Sequence, residues 1–513
     1  MTQAYILPMR QPFASQSGPR NGGAFRKGLA LSGALALFGG AIGATGVSGD
    51  HVLGAAQFAA VGFLLAAMFT ALQDWRAGLG LLVIIVLAED SLRKGLPGTP
   101  YAVSLGKDLL VAVCYLSYLI RPRERLGARG SSRLERVGIW LPIGIWALFV
   151  IAQAFNPRLP HILVGISGIR TWLLAVPLMG LLANTFRDSE NAERVMRWIA
   201  YLAMPLFAVA LIQNLYYDSL PEFLANSAFA KFRGLESGAN VRYNESLFAS
   251  PTLYALACVY QLCLVVGLLR IQRPNRQTVL LWISGYCTVM GAHLSGVRTG
   301  LLFAGLAVLA MLPLLLYPTE ARTDGVARKR PGLILGGLIG LVLGGFLVGA
   351  MKETRAEAFW TSLEINIIGQ RMEESVEGAG SVQAPALGNG TGSAGKSGQI
   401  MTLLGRDAMG FENAEWGNLL VRYSFGPVGF WLGALLLGWM MLGLLGIAWR
   451  DRRGRFGPLR FALWIYVGAQ MAWFLFKAYP VLENGTMVMM FWTSVGLIMG
   501  LARLDERELS VQA

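Results

Sequence analysis

Nine side chains in this sequence have types and settings suited to chemistry on an anionic substrate. They are Arg170 in "GISGIRTWLL", Arg242 and Tyr243 in "NVRYNESLFASP", Arg298 in "HLSGVRTGLL", and Arg371, Arg406, Glu412, Glu415 and Arg422 further along. An arginine fork matches phosphate oxygens two at a time and carries its charge at any physiological pH, so several together suit a pyrophosphate. A carboxylate such as Glu415 or Glu412 at the mouth of a cationic cavity is a candidate general base for a hydroxyl nucleophile. Each position also has a plainer reading. An arginine near a span end can snorkel to a lipid phosphate, and a loop carboxylate can close a local ion pair. The convergence of several cations on one face favours an anion site.

These residues sit in a chain that is 54% hydrophobic and only 14% charged over 513 residues, a composition of a polytopic membrane protein. Apolar segments recur at 28–48, 52–72, 77–89, 103–120, 137–155, 162–184, 198–217, 246–269, 278–294, 299–318, 332–350, 419–447, 458–476 and 485–503. They give fourteen candidate spans, or as few as twelve if the short third one is re-entrant. The fold expected is therefore all-α, with 12–14 transmembrane helices. Burying an arginine at membrane depth costs about 3 kcal/mol or more unless it pairs or faces a wet cavity, which makes such residues functional by default.

The net charge of +14 is a topology signal and not a sign of nucleic-acid binding. Arginines gather at 121–136, 270–276, 322–330 and 450–460. Threading fourteen spans from a cytoplasmic N-terminus puts every cluster on the cytoplasmic side, facing anionic lipid. Residues 1–27 and 504–513 then read as cytoplasmic tails, the first span as an uncleaved anchor, and 218–245 and 351–418 as exported loops. Within the larger loop, "GAGSVQAPALGNGTGSAGKSGQ" (378–399) has the composition of a flexible linker, flanked by stretches suited to short surface helices. Cys114, Cys258, Cys263 and Cys287 all fall within spans, at no metal-ligand spacing. Lys107 with Asp108, and Lys94 with Glu89 and Asp90, read as structural pairs.

With those segments in hand, the chain resembles the O-antigen ligase and O-antigen polymerase superfamily of bacterial inner-membrane enzymes. "LSGVRTGLL" is similar to the family's arginine-bearing outer turn, "VRYNESLFASP" to its approach to a Pro-bearing span, and "AEWGNLLVRYSFGPVGF" to its loop exit with paired glycines Gly426 and Gly429. Likeness extends from Ile166 to Phe430. Ligase-like members carry a His-Asn pair where alignment on Gly426 puts Glu415 and Trp416, which turns the reading toward a polymerase. The resemblance implies a GT-C-like glycosyltransferase acting at the periplasmic face on undecaprenyl-pyrophosphate-linked oligosaccharides. Arg170, Arg242, Arg298, Arg371 and Arg406 would then bind pyrophosphate, Glu415 would serve as base, and Glu412, Arg422 and Tyr243 would be secondary candidates. It implies no metal and no cofactor, with flippase and chain-length regulator proteins as partners. A flippase or exporter of lipid-linked oligosaccharide is the alternative from another class.

Overall fold

Long runs of Leu, Ala, Val and Ile offer the backbone no side-chain partners, so its own amides and carbonyls must pair within each segment, as helix. The computed structural model describes residues 51–95, 100–121, 132–186, 188–216, 232–234, 240–242, 244–248, 250–271, 276–297, 304–311, 384–394, 417–450, 454–476 and 485–512, with positions 30, 33, 220 and 300. The first helices are α1 (His51–Gln73), α2 (Trp75–Gly95) and α3 (Pro100–Ile120). A span from Arg133 to Gln153 follows as α4, with a π turn at Arg136–Trp140, and then come α5 (Ile162–Leu173), α6 (Leu178–Ala183), α7 (Ser189–Tyr201) and α8 (Ala203–Leu215). A two-stranded antiparallel ribbon, β1 (Phe232–Gly234) with β2 (Asn240–Arg242), sets Arg242 opposite Phe232. The remaining helices are α9 (Pro251–Ile271), α10 (Arg276–Leu294), α11 (Gly417–Trp449), α12 (Gly457–Phe476) and α13 (Gly485–Gln512).

Six helical segments among the described residues are long and apolar enough to cross a bilayer, which defines a multi-pass α-helical membrane protein. Expected span 28–48 apart from positions 30 and 33, span 332–350, and all of 299–318 except 300 and 304–311 lie outside the described residues. The other expected spans are helical, with four departures. The short third span is the middle of a 21-residue helix that carries Glu89 and Asp90. The sixth breaks at residues 174–177, where Pro177 can supply no amide, and restarts as α6. The seventh begins early, at Ser189, capped by the Asp188 carboxylate accepting from Asn191 N. The segment 504–513, read from sequence as a tail, continues α13 to Gln512.

α9 is the central helix, 94% buried across its apolar window, and packs on α10 and α12. Its cysteines Cys258 and Cys263 are buried, like Cys114 and Cys287, and all four are free thiols.

Side-chain contacts sort the polar residues to the two ends of the bundle. At the basic end, Arg121 reaches the Leu72 carbonyl and Arg76 the Thr185 carbonyl. Arg503 forks onto Glu135 at 2.7 and 3.1 Å and donates to Asn184 at 2.9 Å. Glu193 accepts from Arg197 and Arg455, and Ser189 donates to Glu508. Arg460, 1% exposed, meets the fully buried Asp505 at 3.2 Å and donates to the Ile447 carbonyl at 3.0 Å. Asp505 also accepts from Phe456 N, so the buried charges are hydrogen-bonded as well as paired. Every described member of the arginine clusters at 121–136, 270–276 and 450–460 is at an end of a helix that reaches this face or in the turn beside it.

Candidate functional site

The opposite, distal end of the bundle combines backbone turns with two charge pairs. Gln213 clamps Ser246 by two bonds of 2.8 Å, Ser246 donates to the Leu206 carbonyl, and Asn244 donates to the Leu294 carbonyl at 2.8 Å. These bonds tie the approach to α9 against the end of α10, where Gly296 turns the chain at φ 71° just before Arg298. That angle suits glycine and few other residues.

The most consequential departure from the sequence reading is at 384–394. A glycine- and serine-rich composition suggests a linker, yet Gly388 and every residue from Gly390 to Ala394 are buried. Gly388, Gly390 and Gly392 have φ of 72°, 102° and 86°, so the alternating glycines are there for left-handed backbone, not for freedom. The segment fills a break in α11, whose Gly426 is non-helical at φ 67° and is followed by Pro427. Asn389 N donates to the Tyr423 carbonyl, Gly390 N to the Ser424 carbonyl, and Val428 N to the Ala386 carbonyl, at 2.9 to 3.2 Å. Thr391 reaches the end of α4 through its amide to the Gln153 carbonyl and its hydroxyl to the Val150 carbonyl. A side chain on Gly168 of α5 would strike Thr391 and Gly392 at 2.5 Å, and one on Gly392 would strike the Val164 carbonyl at 2.3 Å. This plug therefore locks α4, α5 and both halves of α11 into one register.

Arg170 and Arg422 stand on the elements so locked. Arg170, 38% exposed at its side chain, donates Nε to Asp108 Oδ2 at 2.5 Å and brings Nη2 to the same oxygen. Arg422 lies over the Phe430 ring, its guanidinium carbon 5.2 Å from the centroid. Beneath them is an aromatic cluster centred on the buried Phe425, with Trp146, Phe149 and Trp172 at centroid distances of 5.1 to 5.8 Å. Trp146, Trp172 and Phe430 continue as walls of an apolar cavity of about 120 Å³ between α4, α5, α11, α12 and α13. The cavity runs along α11 from Val421 to Met440, and Ala434 on its wall is exposed at the surface of the bundle.

The sequence pairing of charges is corrected. Lys107 pairs not with Asp108 but with Glu89, at 2.6 and 2.5 Å to its two oxygens, and Asp108 pairs with Arg170. Consecutive helical residues point about 100° apart, so Lys107 and Asp108 serve different neighbours.

Among the residues singled out from sequence, Arg170 and Arg422 are described with their side chains, and Arg242 by its place in β2. Tyr243, Arg298, Arg371, Arg406, Glu412 and Glu415 lie outside the described residues. Ala394, Leu419 and Leu420, which flank the segment bearing Arg406, Glu412 and Glu415, pack together against Trp172 and Tyr423. The pairing of Asp108 with Arg170, the folded plug and the aromatic wall escaped the sequence reading. Only the plug had a signal, in glycines alternating at 388, 390 and 392.

No family model matches the chain, and no curated protein is similar to it. The class defined by the fold is a multi-pass α-helical membrane protein, with an apolar cavity among its described helices.

Proposed function

We propose that the protein is a glycosyltransferase of GT-C-like architecture that polymerises undecaprenyl-pyrophosphate-linked repeat units at the periplasmic face of a bacterial inner membrane. The observation that carries this reading is an apolar, aromatic cavity flanked by Arg422 and by the Trp172–Arg170 turn of α5. At about 120 Å³ it can seat only a short stretch of the hydrocarbon tail of an amphiphile with an anionic head, the rest of the tail lying in the lipid. The acceptor hydroxyl attacks the donor's anomeric carbon as the carbon–oxygen bond to pyrophosphate breaks. The hydroxyl proton passes to the loop carboxylate, for which Glu415 is the candidate, and the bonding pair leaves on the pyrophosphate oxygen. The arginines stabilise the charge that builds there. The resemblance, with Glu415 where ligase-like members carry histidine, favours polymer growth over transfer to a different acceptor.

One observation speaks for a flippase: α11 is discontinuous at Gly426, and transporters use broken helices at their sites. Here the break is filled by the 384–394 plug, and the basic end is bound by the buried Arg460–Asp505 and Arg503–Glu135 pairs, which favours a fixed scaffold over alternating access.

The tail cavity is tested by Ala434→Trp. Elongation of undecaprenyl-linked substrate should fall about tenfold or more, the loss of roughly 1.4 kcal/mol of tail contact, while a single-isoprene analogue at saturating concentration is used as before. Equal loss on both substrates contradicts a tail site here.

A further inference from the structure

The charges at the distal end form two ion pairs carried by three helices. Glu89 of α2 holds Lys107 of α3, and Asp108, the next residue of α3, holds Arg170 of α5. The first pair is enclosed, with side chains 5% and 1% exposed, and a side chain on Gly485 would press against the Lys107 ammonium. The second pair is asymmetric: Asp108 is 12% exposed while Arg170 is 38% exposed. Glu89 takes the hydrogen bonds of Lys107, so that of these two cations it is Arg170 that hydrogen-bonds the Asp108 carboxylate. Two contacts of the guanidinium, from Nε and from Nη2, go to the same oxygen, Oδ2, and orient the fork. From the other side, Gly168 seats α5 against the plug two residues before Arg170.

We propose that Asp108 is a positioning residue, which aims the Arg170 guanidinium at the pyrophosphate head of the lipid substrate, with Glu89 acting to keep Lys107 from competing for it. This rests on the functional reading above. Asp108 touches no substrate atom, so its removal should act on recognition of the anionic head and not on the tail.

The probe is farnesyl pyrophosphate against farnesol, titrated into the purified full chain with tryptophan fluorescence as readout, since Trp146, Trp172 and Trp492 line the cavity. Asp108→Asn should weaken farnesyl pyrophosphate about tenfold, as expected for one charge-assisted contact, and leave farnesol unchanged. Asp108→Glu should recover most of the loss. On an Arg170→Gln background Asp108→Asn should add nothing, because the two act as one unit. Unchanged pyrophosphate affinity in Asp108→Asn, additive losses in the double variant, or equal loss of both ligands with a lowered unfolding midpoint would each overturn the inference. A wild-type protein that fails to prefer pyrophosphate over farnesol overturns the functional reading, and the role of Asp108 with it.

Discussion

Arg298→Ala should reduce polymer formation by about a hundred- to a thousand-fold, the usual consequence of deleting one preorganised group that stabilises a developing anion. Abundance and membrane insertion should match wild type. The turn on either side of the position is held by contacts of its neighbours. Val297 and Gly300 on either side are buried, and Gly300 seats closely on Ala255 of α9. Ser295 secures the turn by accepting from Val297 N and donating to the Ala292 carbonyl. None of these contacts uses the arginine. Arg298→Lys should give an intermediate loss, because an ammonium keeps the charge but cannot fork across two oxygens. Polymer yield on gels against immunoblotted protein is the measurement, and wild-type amounts of full-length polymer from Arg298→Ala would remove this residue from the site.

The second large effect falls on stability. Asp505→Ala strands the Arg460 guanidinium in a site where it is 1% exposed, and removes the acceptor for Phe456 N. Breaking a buried pair from one side costs about 3–5 kcal/mol, because the remaining charge keeps its desolvation without its partner. The double variant Arg460→Met, Asp505→Leu should recover most of that loss, since a buried pair is often no better than apolar side chains of similar volume. Unfolding midpoints in detergent distinguish the cases. A double variant as unstable as Asp505→Ala would show that the hydrogen bonds to the Ile447 carbonyl and Phe456 N, and not the charges, hold this corner. With Arg503, two residues before Asp505, bridging Glu135 and Asn184, the last helix ties α4, α6 and α12 together at the basic end.

Much of the helical layout was legible because hydrophobic runs and arginine clusters report on the bilayer directly. The described members of the arginine clusters lie at helix ends or in the turns beside them. What escaped the sequence depends on distant partners. Asp505 looks like the start of a polar tail until Arg460, 45 residues earlier, is seen to enclose it. Asp108 appears to belong to its neighbour Lys107, and only the packing of α3 between α2 and α5 gives it to Arg170. The plug failed for another reason. Composition cannot separate a glycine that relaxes a chain from one that holds a left-handed angle against a carbonyl, as Gly392 does against Val164. The Gly426–Pro427 step was the available clue to a helix break, since proline removes an amide that the helix would otherwise use. Within the site, the arginines were legible as misplaced charges, whereas the aromatic cavity was not, because Trp146, Trp172, Phe430 and Trp492 meet only after five helices assemble.

Reconstitution with a single lipid-linked substrate tests the central claim most directly. Purified protein in proteoliposomes, given undecaprenyl-pyrophosphate-linked repeat unit with no nucleotide sugar and no added metal, should produce a ladder of products that lengthen by one repeat and release undecaprenyl pyrophosphate. Substrate that crosses the vesicle bilayer without elongation would contradict the glycosyltransferase and establish a flippase in its place.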